Sequence, residues 1–320
     1  MRILSPSLRV AGLLLFTAVV GGACDGADEE PERRGPEVLA YPRFDGAAAY
    51  ELVKKQVAFG PRVPGSLGHR EMAAWMEEYL RQRADSLTLQ RFNHVTGEGD
   101  TLPLVNFWAH FGPGEGERML LLAHWDTRPT SDRASDPAER EKPVPGANDG
   151  ASGTAILLQL AEMLAAAAPP SGVDLLLVDG EDYGDFGVGR DVFLGSRHFA
   201  ANLPEGYEPE FGVLLDMVGD QKLDIYVEGN SNRYAPEVVD RVWNIAQRLG
   251  FGDVFHRSVR HTINDDHIPL NEAGIKTINI IDFDFEYPYW HTPEDTPDKV
   301  SASSLGVVGA VITHLIYRGS

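Results

Sequence analysis

The sequence predicts an α/β fold: a three-layer sandwich with a mostly parallel central sheet and helices on both faces. Three observations predict it. Short, near-continuous apolar runs such as "VDLLLV" at 173–178 recur along the chain, the mark of strands covered on both sides. Helical segments separate those runs, as crossovers between parallel strands require. Polar residues able to do chemistry follow the runs, where ligands bind in parallel sheets.

Taken in order, the first segment stands apart. Arg2 and Arg9 precede an apolar run, Val10 to Val20, and then "GGAC". A basic start, a short apolar run and small residues make residues 1–23 a signal peptide, too short for a spanning helix. Cys24 is the chain's single cysteine and stands where a bacterial lipoprotein is lipidated, although Gly21 replaces the usual leucine. Ordinary cleavage after Ala23 is the alternative. Either way the expectation is an exported protein with no internal disulfide, held to a membrane only through a lipid at Cys24. Residues 24–42, charged and proline-bearing, read as a tether. Residues 43–320 then form a single catalytic domain, with no repeat and no second domain.

Within it, amphipathic spacing predicts helices from Phe44 to Phe59 and from His69 to Arg83, split by the loop "GPRVPGSLG". Strands are expected at 102–111, 119–123, 173–178, 212–217 and 276–281, and helices at 152–167, 192–201, 235–249 and 301–317. "EGERM" at 115–119 reads as a turn. Trp75 and Trp243 fall on apolar helix faces and belong to the core. A formal charge of −20 excludes nucleic acid as a partner, because its phosphates would be repelled.

The strand ends collect the chemistry. "HWDTRP" carries His124 and Asp126, and "GANDGASG" carries Asp149 ahead of a helix. "DGEDYG" carries Glu181 and Asp182, the apolar run at 212–217 ends near Asp216, "NDDHIPLN" carries Asp265, Asp266 and His267, and "YPYWHTPEDTPD" carries His291. Two adjacent acids at the end of a buried strand repel unless a cation or a proton intervenes. Asp149, Asp182 and His291 offer two carboxylates and an imidazole, three ligands that leave a fourth zinc position open for chemistry. Glu181 would then be free to shuttle a proton. His124 and Asp216 could hold a second ion, with Asp149 bridging, as in two-metal hydrolases. Without that ion, Asp216 and Asp266 become a carboxylate network around Glu181. Spacing leaves both open. His69, His94, His110, His198, His256, His261 and His314 default to surface or packing roles, and His267 to shaping the pocket.

These motifs resemble the zinc-aminopeptidase-like superfamily over roughly Gly60 to Tyr317, and within it the glutaminyl cyclases. "DGEDYG", "FLGSRHFA", "LLDMVG", "DDHIP" and "YWHTPEDT" are similar to the secreted bacterial cyclases of the animal type. The resemblance implies one zinc on Asp149, Asp182 and His291, and Glu181 as general acid and base. It also implies Asp216 and Asp266 as proton-handling carboxylates and Trp290 lining the substrate pocket. Animal cyclases generally place glutamate where Asp182 stands, and their disulfide is missing here. The implied reaction is cyclisation of an N-terminal glutamine of peptides or proteins to pyroglutamate, with release of ammonia. The competing expectation is a dizinc aminopeptidase, and a third is a peptide-binding lipoprotein on an inactive scaffold.

Overall fold

The computed structural model describes residues 41–114, 116–283 and 287–319. The expected signal peptide, Cys24 and most of the tether lie outside these residues. The tether's last two residues are described. Tyr41 stacks on Tyr317 with ring centroids 5.7 Å apart, so the packed chain begins before Arg43. Among the described residues, no helix is long and apolar enough to cross a membrane.

Among the described residues there are eight strands and eight α-helices, several of them beyond those the apolar runs implied. They are α1 (Gly46–Val57), α2 (Leu67–Arg81), β1 (Ser86–Val95), β2 (Thr101–Phe111), β3 (Arg118–His124), α3 (Ala151–Ala166), β4 (Gly172–Val178) and α4 (Leu194–Ala201). Next come β5 (Phe211–Asp216), β6 (Ile225–Val227), α5 (Gly229–Tyr234), α6 (Pro236–Arg248), β7 (Phe255–Val259), α7 (His267–Glu272), β8 (Thr277–Ile281) and α8 (Ala302–Arg318). Six strands form the main sheet in the order β1-β2-β4-β3-β5-β8. The four strands β4, β3, β5 and β8 are mutually parallel, while β2 runs antiparallel to both β1 and β4.

Two-residue periodicity sorts the core into layers. Leu121, Ala123, Leu175, Leu177, Val213 and Leu215 point into one apolar cluster together with residues of α1, α3, α6 and α8. Their sequence neighbours Leu120, Leu122, Leu176, Val178 and Leu214 join a second cluster with Phe199 of α4 and Leu270 of α7. A sheet covered on both faces needs apolar residues at every position, and the continuous runs supply them. Trp243 is fully buried, whereas Trp75 is only partly so and packs on Phe59 at 5.8 Å.

The topology also fixes where a crevice opens. The chain passes from β3 through α3 to β4 on one side, then through α4 to β5 on the other side of β3. Connections that depart to opposite faces at β3 leave a gap beyond its carboxyl end, and open α/β sheets bind ligands in that gap. His124 is the last residue of β3.

Several elements differ from expectation. β1 was not anticipated: it is an edge strand whose burial alternates and whose apolar residues are diluted by Gln90, Arg91 and Asn93. The short β6–β7 pair was also missed. The helix expected from Val192 begins at Leu194, because Phe193 takes a left-handed conformation at φ 57°. The helix expected over 235–249 is α6 alone, with α5 added before it. Ala235, non-helical at φ −142° and ψ 54° ahead of Pro236, separates the two, as expected of a residue that proline steers away from the α region. The expected turn at 115–119 gives way to strand at Arg118 and Met119.

Candidate active site

Beyond the ends of β3, β4, β5 and β8, the acids Asp126, Asp149, Glu181, Asp182, Asp216, Asp265 and Asp266 gather with His124 and His291. His124 ends β3, and its ring is buried. Gly150, at φ 91°, lets the backbone ahead of α3 pass over that ring; a Cβ there would stand 2.7 Å from Asp126 O and 3.1 Å from His124 Cε1. That close pass delivers Asp149 to the crevice, and only glycine permits it. Asp149 is further fixed from behind. Asp295 accepts the backbone N–H groups of Asn148 at 2.9 Å and Asp149 at 3.1 Å, and Tyr287 donates its hydroxyl to Asp295 at 2.9 Å. Buried Arg62 donates to the carbonyls of Pro145 and Gly146 in the same loop.

The acidic pair after β4 is held through its backbone. Asp126 accepts from Glu181 N and Asp182 N, each at 3.1 Å. Asp126 therefore clamps the loop that carries both acids, while standing 3.6 Å from His124 Nδ1. His291 arrives from the loop after β8 with a left-handed backbone, φ 54°, unusual for histidine and typical of over-determined functional positions.

The geometry separates two ligand trios that share Asp149: Asp149 with Asp182 and His291, and Asp149 with His124 and Asp216. In the first, His291 Nε2 stands 3.4 Å from Asp182 Oδ1 and 3.6 Å from Asp149 Oδ2. Ligands of a tetrahedral zinc with bonds of about 2.0–2.2 Å lie about 3.3–3.6 Å apart, so this spacing fits the ion. In the second, His124 Nε2 is 3.1 Å from both Asp149 Oδ1 and Asp216 Oδ1, the distance of direct hydrogen bonds. Two carboxylates with one imidazole also match zinc chemically.

Electrostatics marks the same place. Burial pushes Asp182 and Asp216 up to about 7, and raises Glu181 and Asp266 well above the carboxyl range. Neighbouring acids add to each shift. Burial opposes charge on His124 as well, but Glu181, Asp126, Asp149 and Asp216 outweigh it and raise the imidazole well above its usual value. Asp149 is held below its usual value despite burial, because His124 donates to it and His291 stands near. Buried acids outnumber buried cations here, and such excess is how functional sites are recognised.

A cavity of about 150 Å³ opens onto these groups, with Glu181, Asp216 and Asp265 on its polar side and Phe186, Phe283 and Trp290 on its apolar side. Trp290 meets Phe283 edge-on at 5.2 Å. A larger groove of about 540 Å³ lies between α2 and the β1–β2 hairpin, and neither ligand trio found among the described residues opens into it.

The expected residues Asp149, Glu181, Asp182, Asp216, Trp290 and His291 all line the small cavity. Asp266 does not. It sits fully buried with Ser196 Oγ donating to Oδ1, while Asp265 reaches the cavity and accepts from Asn279 Nδ2 at 2.6 Å. Both aspartates are buried, and both act electrostatically on Glu181. His267 also lies away from the cavity, 3.3 Å from Glu228. His69, expected at the surface or in packing, is buried, stacked on Trp125 at 4.4 Å and paired with Asp179 at 2.9 Å. Sequence reasoning missed Arg128, Asp132 and Asp295. Arg128 and Asp295 stood inside motifs already singled out, and Asp132 carried no signal.

Comparison with known proteins gives the family and related folds. Residues 106–316 match peptidase family M28. Aminopeptidase YwaD of Bacillus subtilis is 30% identical over 76% of the chain, which spans 49% of that relative's length. A Bacteroides thetaiotaomicron glutaminyl cyclase bound to N-acetylhistamine superposes with a TM-score of 0.83 at 37% identity, covering 87% of this chain and 99% of its own. A Zn-dependent exopeptidase from Parabacteroides distasonis superposes with a TM-score of 0.84 at 34% identity, covering 87% of this chain and 100% of its own.

Proposed function

From the premise that the chain belongs to peptidase family M28, we propose that it is a zinc-dependent glutaminyl cyclase. It would act on peptides or proteins that begin with glutamine, forming pyroglutamate and ammonia. One observation supports this reading over a peptidase. The Asp149–Asp182–His291 trio is spaced for an ion, whereas His124 closes the second trio by direct contact with Asp149 and Asp216 at 3.1 Å. A single ion suits an intramolecular reaction, which needs no activated water.

Zinc held by Asp149, Asp182 and His291 would supply Lewis-acid polarisation of the glutamine side-chain carbonyl. The chain's own groups do the rest. The apolar wall of Phe186, Phe283 and Trp290 packs the substrate's methylenes and excludes water. Glu181 takes a proton from the α-amine as its nitrogen attacks the side-chain carbonyl carbon, then gives that proton to the departing amide nitrogen, which leaves as ammonia. Its buried setting raises its proton affinity, as a group that must both accept and return a proton requires. Asp216 lines the cavity beside Glu181, and buried Asp265 and Asp266 raise its proton affinity and favour its protonated form.

A dizinc aminopeptidase is the second reading, favoured by the complete second trio and by the aminopeptidase among the relatives. Incubation with a Gln-initiated peptide separates the two. Ammonia release with every residue retained, at about one zinc per chain, supports the cyclase; a free N-terminal amino acid with two ions per chain overturns it. The basic and apolar N-terminus with Cys24 supports an exported, lipid-anchored enzyme in the bacterial cell envelope.

A further inference from the structure

The segment Arg128–Arg133 follows β3 and grips two members of the proposed zinc trio from outside. Arg128 donates through Nη1 to Asp182 Oδ1 and through Nε to Asp132 Oδ1, both at 2.9 Å. The same Asp132 oxygen lies 3.0 Å from His291 Nδ1. One residue further, Arg133 N donates to His291 O at 3.2 Å. A six-residue stretch therefore holds His291 by ring and by backbone, and Asp182 by its carboxylate. Arg133 also places its guanidinium over the Trp290 ring at 5.0 Å, so the stretch reaches the cavity wall.

We propose that this segment is a brace that sets the zinc-binding posture of His291 before metal arrives, with Asp132 as its positioning residue. The inference rests on the reading that Asp149, Asp182 and His291 hold the zinc. His291 keeps a left-handed backbone, φ 54°, uncommon outside glycine, which the contacts of the segment help to hold. Asp132 accepts from Nδ1–H, fixing the proton on that nitrogen and leaving the Nε2 lone pair aimed at Asp149 and Asp182. Arg128, shared between Asp132 and Asp182, keeps the two ligands at one separation. An ordinary surface ion pair would join Arg128 and Asp132 alone. Here the accepting oxygen is shared with the imidazole, and that sharing is the sign of a support.

Asp132 is 45% exposed, so its removal leaves the core intact. Zinc affinity of the metal-free protein, measured by competition with a chromogenic chelator, is the test. Asp132→Ala should weaken zinc binding about 10- to 100-fold, the range seen when such outer partners are lost. Asp132→Asn, which keeps an acceptor oxygen, should recover most of that loss. The visible spectrum of the cobalt-substituted protein should change in Asp132→Ala and resemble wild type in Asp132→Asn. Unchanged zinc affinity in Asp132→Ala, or equal losses in both variants, overturns the brace. So does an Asp132→Ala protein that fails to fold, since a support for one ligand does not carry the core. His291→Ala is the control for the underlying reading. If it binds zinc like wild type, the ligand assignment fails; if it alone loses zinc, only the brace fails.

Discussion

The two ends of the parallel sheet each bury a charged cluster, and they are built on opposite terms. At the amino end of β4, Asp174 is one carboxylate surrounded by donors. Arg118 donates through Nε at 3.1 Å, His110 Nδ1 stands at 2.8 Å and Tyr207 donates its hydroxyl at 2.8 Å. Burial opposes its ionisation, but these bonds outweigh it and hold Asp174 below its usual value. At the carboxyl end, Glu181, Asp182, Asp149, Asp216, Asp265 and Asp266 crowd around His124 and His291, and most are pushed upward. The first cluster is neutralised by its own residues and has a structural purpose. The second has fewer cations than acids, even with Arg128 on Asp182, and that deficit is what a bound cation would fill.

Three experiments press on this contrast. The largest effect belongs to Glu181→Gln, which should lower turnover about 10²- to 10⁴-fold while zinc content stays at the wild-type level. Turnover within threefold of wild type would remove Glu181 from the chemistry and leave the acidic end without a function. At the other end, Asp174→Asn leaves partly buried Arg118 without its counter-charge, and chemical denaturation should show a loss of about 1–3 kcal/mol. Zinc affinity in that variant should match wild type. A loss of zinc without a loss of stability would merge the two clusters into one.

The smallest effect is a difference in pH dependence. Asp182 and Asp216 hold protons up to about pH 7 and Asp295 to about 6, whereas an unfolded aspartate releases its proton near 4. Folding therefore takes up protons between about pH 4 and 7, and stability falls as pH rises across that window. The raised imidazoles of His124 and His291 act in the same direction, since their contribution is lost as pH rises through their folded values. Metal-free protein should melt a few degrees higher at pH 6 than at pH 8. Saturating zinc should raise the melting point most at pH 8, where the ligands are already ionised. A melting point that drops between pH 8 and pH 6 in the metal-free protein would show that the acids are compensated internally, as at Asp174.

Much of this molecule is legible in its sequence, for identifiable reasons. β3, β4 and β5 are buried on both faces, so their apolar runs are unbroken and easily read. β1 was invisible because an edge strand has no such requirement; its solvent-facing residues break the pattern. Asp149, Glu181, Asp182 and His291 could be found because strand ends in this architecture point one way. Asp265 and Asp266 are adjacent and identical in chemistry, and only the turn into α7 decides which one reaches the cavity. Asp132 and His291 lie 159 positions apart and meet through two loops. No local spacing encodes such a meeting.

The Asp295 carboxylate has a mechanical meaning. It sits four positions beyond His291 and grips the peptide groups of Asn148 and Asp149. Two of the three proposed zinc ligands are thereby yoked across the crevice by one side chain. Through Asp295, a displacement of the loop carrying His291 would be transmitted to the backbone of Asp149, tying the positions of the two side chains together.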